Sequence, residues 1–353
     1  MRPEDPELTR LLDRFVPVRL TDFKPVDMTR FQFDYDLTFA ILMMNADGRT
    51  YSRYGTQDWR HSEERMSVEG LKHSLRAVLA AHARGAAAPA AAAPKPAFTV
   101  MDIPAYAQSP AARQPCAHCH HANNFRFQQL RFEGTFRKEM VYQYPLPENL
   151  GLTMDSSAPN RVRSAAETSP AGKAGIRAGD VVTRVNDTPI YTDADLQFAL
   201  NPLPEPTTVT LHAERAGKPL PPAVVALPAG WRKTDVSWRP SVFAVGPALG
   251  FGSDVLDAAQ KQALAIPEDR LALRVKQLFP APHFRVARPD LRVGDIVLGL
   301  NGEALPASTH VQFMTRFRLG FEFGQRGTLE VLRSGQRLSL PVVGVDPMPP
   351  RKE

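Results

Sequence analysis

Residues 113–127, RQPCAHCHHANNFRF, hold both cysteines of the chain and three of its nine histidines. Cys116, Cys119 and His120 form a CxxCH spacing, which is the attachment signal for c-type haem. Read as a helix, these positions share one face. Two thioethers would then hold the haem vinyl groups, and His120 would ligate the metal as proximal residue. Met140, in a stretch with Phe136, Tyr142 and Tyr144, is the expected distal ligand. Three other chemistries stay open for the same residues. A CxxC dithiol with lowered thiol pKa could cycle to a disulfide. A zinc site would need four donors, and the usual second pair about 12–20 residues away is missing. The pair could also be idle on an exposed helix.

The rest of the chain must position these groups, and its 353 residues are enough for about two or three domains with cores of their own. Hydrophobic residues make up 43% and charged residues 23%, the balance of a water-soluble globular protein. The 33 prolines are about twice the usual share, which predicts short elements and a Pro-rich linker. The net charge of +6 is spread without a Lys/Arg block, so no nucleic-acid partner is expected. The longest apolar run, Leu37–Met44, is too short to span a bilayer. The opening MRPEDPELTRLLDRF lacks the basic–apolar–small-residue pattern of an export signal, which by itself would leave the chain in the cytoplasm.

Residues 1–84 read as one α/β piece. Val16–Asp22 alternates like a strand, Leu37–Met44 reads as a buried strand ending in the turn Asn45–Gly48, and RTYSRYG reads as its antiparallel return. A helix is expected from Ser67, with Val68, Leu71, Leu75, Val78 and Leu79 on one face and Gly85 as its stop. Residues 85–97, GAAAPAAAAPKPA, read as an exposed linker. Residues 98–148 carry the CxxCH segment.

Residues 149–228 and 248–345 read as two copies of one module. AGIRAGDVVTRVNDTPI, residues 174–190, aligns with PDLRVGDIVLGLNGEAL, residues 289–305. Each copy continues into a helical stretch (DADLQFAL, HVQFMTRFRL) and a strand pair across a glycine turn, which is domain duplication rather than a solenoid period.

The first copy resembles the bacterial PDZ domain through SPAGKAGIRAGDVVTRVND, residues 169–187, with NLGLTM, residues 149–154, in the place of the carboxylate-binding loop. The resemblance implies that amides around Leu150, Gly151 and Leu152 receive a peptide C-terminus. The peptide would add as a strand beside Leu152–Asp155, with Leu196 and Leu200 facing the groove. The same leucines would serve equally well as core. In the second copy, ALGFG is followed by a helix-like insertion, SDVLDAAQKQALAIPED, before the strand RLALRVKQL, so this copy reads as degenerate.

FDYDLTFAILMMNADGRTYSRYGTQD resembles the C-terminal half of a thioredoxin-like domain. Taken together, the chain is similar to a bacterial family that joins a thioredoxin-like domain, a CxxCH segment and two PDZ modules, some members using selenocysteine. The family's redox helix and export signal have no counterpart in these residues. The resemblance implies an α+β multidomain protein of the periplasm or cell envelope. Its function would be an adaptor that binds protein or peptide C-termini and uses haem c or a dithiol for redox work. A thiol–disulfide oxidoreductase with its catalytic helix elsewhere and a non-catalytic PDZ scaffold are the alternatives. No G-x-S-x-G and no spaced His/Asp/Ser set is present, so no hydrolase or protease site is expected.

Overall fold

Two Gly-Asp turns, one in each copy of the repeat, organise the two large sheets of the protein. The computed structural model describes residues 5–59, 64–85 and 96–347. It forms two units: Met1–Gln129 with Glu139–Val236, and Leu130–Lys138 with Ser237–Glu353.

The first unit opens with helix α1 (Pro6–Leu12), whose cap Asp5 accepts from the Glu7 and Leu8 amides. Strands β1 (Ile41–Met44) and β2 (Thr50–Tyr54) form an antiparallel hairpin, with Gly48 at φ +75° in its turn. Helix α2 (Val68–Ala83) is capped by the Ser67 side chain and packs Leu71, Leu75 and Val78 on Met43, Tyr51 and Tyr54. Two expectations are corrected here. Val16–Asp22 is not a strand, and Val16 and Val18 are 90% and 77% exposed, because their alternation meets no neighbouring strand. Among the described residues, the hairpin is a sheet of two strands only, so a thioredoxin-like sheet is not formed. Most of the expected linker lies outside the described residues. Short helix α3 (Pro104–Ala107) and helix α4 (His120–Phe132) follow.

The first module runs through β3 (Leu152–Asp155), β4 (Ala158–Ala165), α5 (Pro170–Lys173), β5 (Val181–Val185), β6 (Thr188–Pro189), α6 (Asp193–Leu200), β7 (Thr207–Arg215), β8 (Lys218–Pro219) and β9 (Ala223–Leu227). Its strands lie in the order β3-β4-β5-β7-β8, with β6 on β5 and β9 on β7.

The second unit repeats the plan with β10 (Phe251–Val255), α7 (Ala258–Ala263), β11 (Leu273–Leu278), α8 (Pro282–Ala287), β12 (Ile296–Leu300), β13 (Glu303–Ala304), α9 (His310–Gly320), β14 (Arg326–Arg333) and β15 (Gln336–Val343). The order is β10-β11-β12-β14-β15, with β13 on β12.

The duplication extends to single hydrogen bonds. Gly179 and Gly294 take φ +87° and +96°, a region open to glycine, and donate to Val162 and Val275 carbonyls at 2.8 Å. Asp180 then accepts from the Arg177 amide and the Arg215 guanidinium at 2.8 and 2.7 Å. Asp295 accepts from the Arg292 amide and Arg333 at the same two distances. Burial alone would raise both carboxyls, but the arginine and amide donors outweigh it and hold each below the ordinary carboxylate value. Each module closes over its own apolar core, around Leu150, Leu196 and Val209 in the first and Leu249, Phe313 and Phe317 in the second.

Candidate functional site

The CxxCH residues do not share a helical face. Helix α4 begins at His120, after both cysteines. The stretch before it is pinned by long-range bonds at Ala117, which donates to Asp22 Oδ1 at 2.8 Å and accepts from the Phe23 amide at 3.0 Å. Cys116 is exposed, whereas Cys119 is half-buried and its Sγ donates to the Leu37 carbonyl at 3.3 Å. Burial pushes the Cys119 thiol up, the reverse of an activated dithiol. The His118, His120 and His121 rings lie within 4.8–5.6 Å of one another, His118 stacked on His120 and His121 edge-on to both. Burial lowers His120, with the His118 charge adding to it. Burial and the neighbouring imidazoles push His121 down to about 4. Among the described residues, no group of three His, Cys, Asp or Glu is arranged to hold a metal ion. Met140 lies on a separate short turn, Lys138–Val141. The residues present therefore do not fit haem c, and the assignment of Cys116, Cys119, His120 and Met140 to it is corrected.

The proposed peptide-binding residues of the first module do come together, but as interior. Leu150, Leu152, Leu196 and Leu200 have no exposed surface and belong to one core cluster. Gly151 sits between them at φ +84°, and a Cβ there would lie 2.0 Å from that of Ser169. The outer side of α6 is covered as well. Asp193 meets Arg65 at 3.4 Å, and Arg65 also reaches Glu148 at 2.8 Å and Asp58 at 3.4 Å. Asp195 accepts from Ser52 Oγ at 2.7 Å and the Arg53 amide at 2.8 Å, while the Arg53 guanidinium lies 3.4 Å over the Phe198 ring. Gln197 donates to Thr56 Oγ1 at 2.7 Å. Desolvation pushes Asp193 up to about 6 although Arg65 opposes it, and raises Asp195 against Arg53.

The second module differs at the matching positions. Its ALGFG loop leads straight into β10, and α7 follows that strand instead of preceding it, so the expected separation of loop and strand is not found. Leu249 and Gly250 stand where Leu150 and Gly151 stand, with Gly250 at φ +67°. Helices α6 and α9 are both capped by threonine, Thr192 and Thr309, which aligns Asp193 with His310 and Asn201 with Arg318. His310 Nδ1 lies 2.8 Å from Ser253 Oγ, joining α9 to β10. No carboxylate among the described residues bonds that imidazole, so the pair is not a catalytic triad. Strand β10 is a sheet edge, bonded to β11 alone, with Asp254 and Val255 exposed. Sequence reasoning missed Ser253, His310 and Arg318. Superposing the two threonine-capped helices of the repeat would have found the last two.

A family model described as a PDZ domain matches residues 161–215. The chain is thus a mixed α/β protein with several β-sheets that carries a PDZ domain. Among curated relatives, the probable periplasmic serine endoprotease DegP-like of Pseudomonas fulva (strain 12-X) is 30% identical over 195 residues, 54% of this chain and 38% of that protein. The protein of the same description from Pseudomonas putida (strain GB-1) is 28% identical over 193 residues, with the same shares. The chain spans 38% of the length of these relatives. Solved structures that match include the HtrA-type protease AlgW with decapeptide, at 15% identity and TM-score 0.24, covering 48% of this chain and 56% of that one. The same protease with tripeptide matches at 16% identity and TM-score 0.25, covering 48% and 60%.

The curated relatives correct the earlier family reading. They are described as probable periplasmic serine endoproteases, not thioredoxin-like selenoproteins, and the redox adaptor, the thiol–disulfide oxidoreductase and the scaffold readings fall with that family. The expectation of no hydrolase or protease site runs against these relatives, of whose length this chain spans 38%. Among the described residues, no helix is long and apolar enough to cross a membrane.

Proposed function

We propose that the chain serves HtrA-type proteolysis in the periplasm by capturing peptide segments, with residues 149–228 and 248–345 as two PDZ modules. The second module does the capturing. A peptide adds as a strand along β10, whose outer edge has free amides and carbonyls, and meets Ser253 and His310. The observation that carries this reading is the contrast between the helices. All but one residue of α6 is buried, its outer side lying under the hairpin and Arg65, whereas α9 keeps Val311, Arg316 and Gly320 at the surface beside the edge strand β10. Capture at Leu150–Leu152 of the first module would require Arg53 and Arg65 to leave α6. Hydrogen exchange on the full chain, with and without a saturating decapeptide library, tests this. Protection should appear at Phe251–Val255 and not at Leu152–Asp155. Protection of β3 alone, or of neither strand, would overturn the assignment.

A further inference from the structure

Helix α9 buries a cation that pairs with no anion among the described residues. Arg318 is 7% exposed, and its Nε and Nη1 are buried with no hydrogen-bond partner. Its guanidinium lies 4.8 Å from the Phe243 ring centroid, a contact that orients the charge without neutralising it. Other arginines of the protein find acceptors within the chain: Arg53 has Asp195, Arg65 has Asp58, Glu148 and Asp193, and the deeply buried Arg288 donates to the Gly250 and Phe279 carbonyls. Asn201, at the matching place in the first module, is satisfied by the Tyr144 amide at 2.9 Å and by Arg232. A buried guanidinium stays charged at neutral pH, and leaving it unpaired is costly. An anion from outside the chain would complete it.

We infer that Arg318 is the anchor for a carboxylate of the peptide bound by the second module. Two features place it at the ligand. The Gly246 backbone, in the loop that leads into β10, packs directly on that of Arg318, so close that a Cβ at Gly246 would lie 2.4 Å from the Arg318 carbonyl oxygen. Helical side chains lean toward the N-terminus, which carries the guanidinium toward Met314 and His310, four and eight residues back along one stripe. The two groups feel each other: burial lowers the His310 imidazole, and the Arg318 charge lowers it further. Burial brings Arg318 itself down to about 10, with no opposing anion. A carboxylate seated on Arg318 would cancel part of that field, so occupancy should raise the His310 pKa. The carboxylate could be a C-terminus or an Asp/Glu side chain, and the chemistry at Arg318 is the same.

The inference rests on peptide capture along β10, and the experiment separates the two. The full chain is tested against an Asp/Glu-free decapeptide library with free C-termini, the same library amidated, and an amidated library ending in Glu, with wild type and Arg318→Met compared by calorimetry. Wild type should bind at least one carboxylate-bearing library at least tenfold more tightly than the amidated acid-free one. Arg318→Met should erase that preference while keeping the weaker binding. The library that loses affinity identifies the source of the carboxylate. Because Arg318 has no partner to strand, the variant should unfold at the same or higher urea concentration than wild type, and His310 should no longer shift on binding. If wild type and Arg318→Met bind all three libraries alike, the anchor is wrong and capture along β10 stands. If wild type binds none of them, capture itself is wrong.

Discussion

The two modules share their turns and differ in who supplies the countercharge. In the first, the groups on the helix are carboxylates, Asp193 and Asp195, and the chain brings Arg65 and Arg53 to them. In the second, the group is a cation, Arg318, and among the described residues no carboxylate is brought to it. A duplicated scaffold can therefore hold one copy closed on itself and leave the other to be completed by a ligand. The shared turns set the fold, and the helix residues set the role.

The largest effect should come from breaking what the modules share. Asp180→Ala and Asp295→Ala each remove a buried carboxylate that accepts three charge-assisted hydrogen bonds and leave a turn amide without its acceptor, and each should cost about 4 kcal/mol. Urea unfolding followed by amide exchange in each unit would measure both. Because the donor distances match to 0.1 Å, the two losses should agree within about 1 kcal/mol. A lock that proved indifferent in one module alone would end the comparison.

The shared part was legible because it is local chemistry. Ser67 as a cap, the Gly-Asp turns and the glycine hairpin turns act within a few residues, and their side chains say what they do. The Ala216-Gly217 and Ser334-Gly335 pairs, all at positive φ, are the two-residue turns that a strand–Gly–strand pattern implies. The countercharges were not legible, since Arg65 and Asp193 lie 128 residues apart and no spacing rule connects them. Burial was equally hidden: an apolar stripe at Leu196 and Leu200 suits a groove or a core, and only the packing of the hairpin side decides. CxxCH misled for the same reason. Its residues read as a helix, but Ala117 is tied to Asp22 and Phe23, far back in the chain, and α4 starts only after both cysteines.

A second test acts on the closed module. Arg65→Met keeps the length of the side chain and removes the charge, leaving Asp193, Glu148 and Asp58 to repel one another. The first unit should lose about 3 kcal/mol, and α6 amides should exchange faster, whereas Arg318→Met in the second unit costs nothing. The pair of substitutions, identical in kind, should thus give opposite answers. Equal losses at both sites would mean that Arg318 has an internal partner after all.

The smallest effect is a pH signature confined to the first module. Asp193 is raised to about 6, with burial the chief cause and the Arg65 charge opposing it. The groups facing it are Arg65, Glu148 and, through Arg65, Asp58. Because the folded pKa lies above the unfolded one, the folded state binds the proton more tightly. The stability it adds is fully present below the unfolded value of about 4 and is lost as pH rises through about 6. Asp193→Asn cannot titrate, so wild type minus variant isolates the group. That difference should fall by on the order of 2 kcal/mol between pH 4 and pH 7 and stay flat above. His310, the residue at the same helical position in the second module, is lowered instead, so its linkage has the opposite sign and the difference between wild type and His310→Asn should rise, not fall, as pH increases toward about 6.5. A flat difference for Asp193→Asn would mean that Arg65 fully compensates the buried carboxylate, and that the closed module is held without the tension its burial implies.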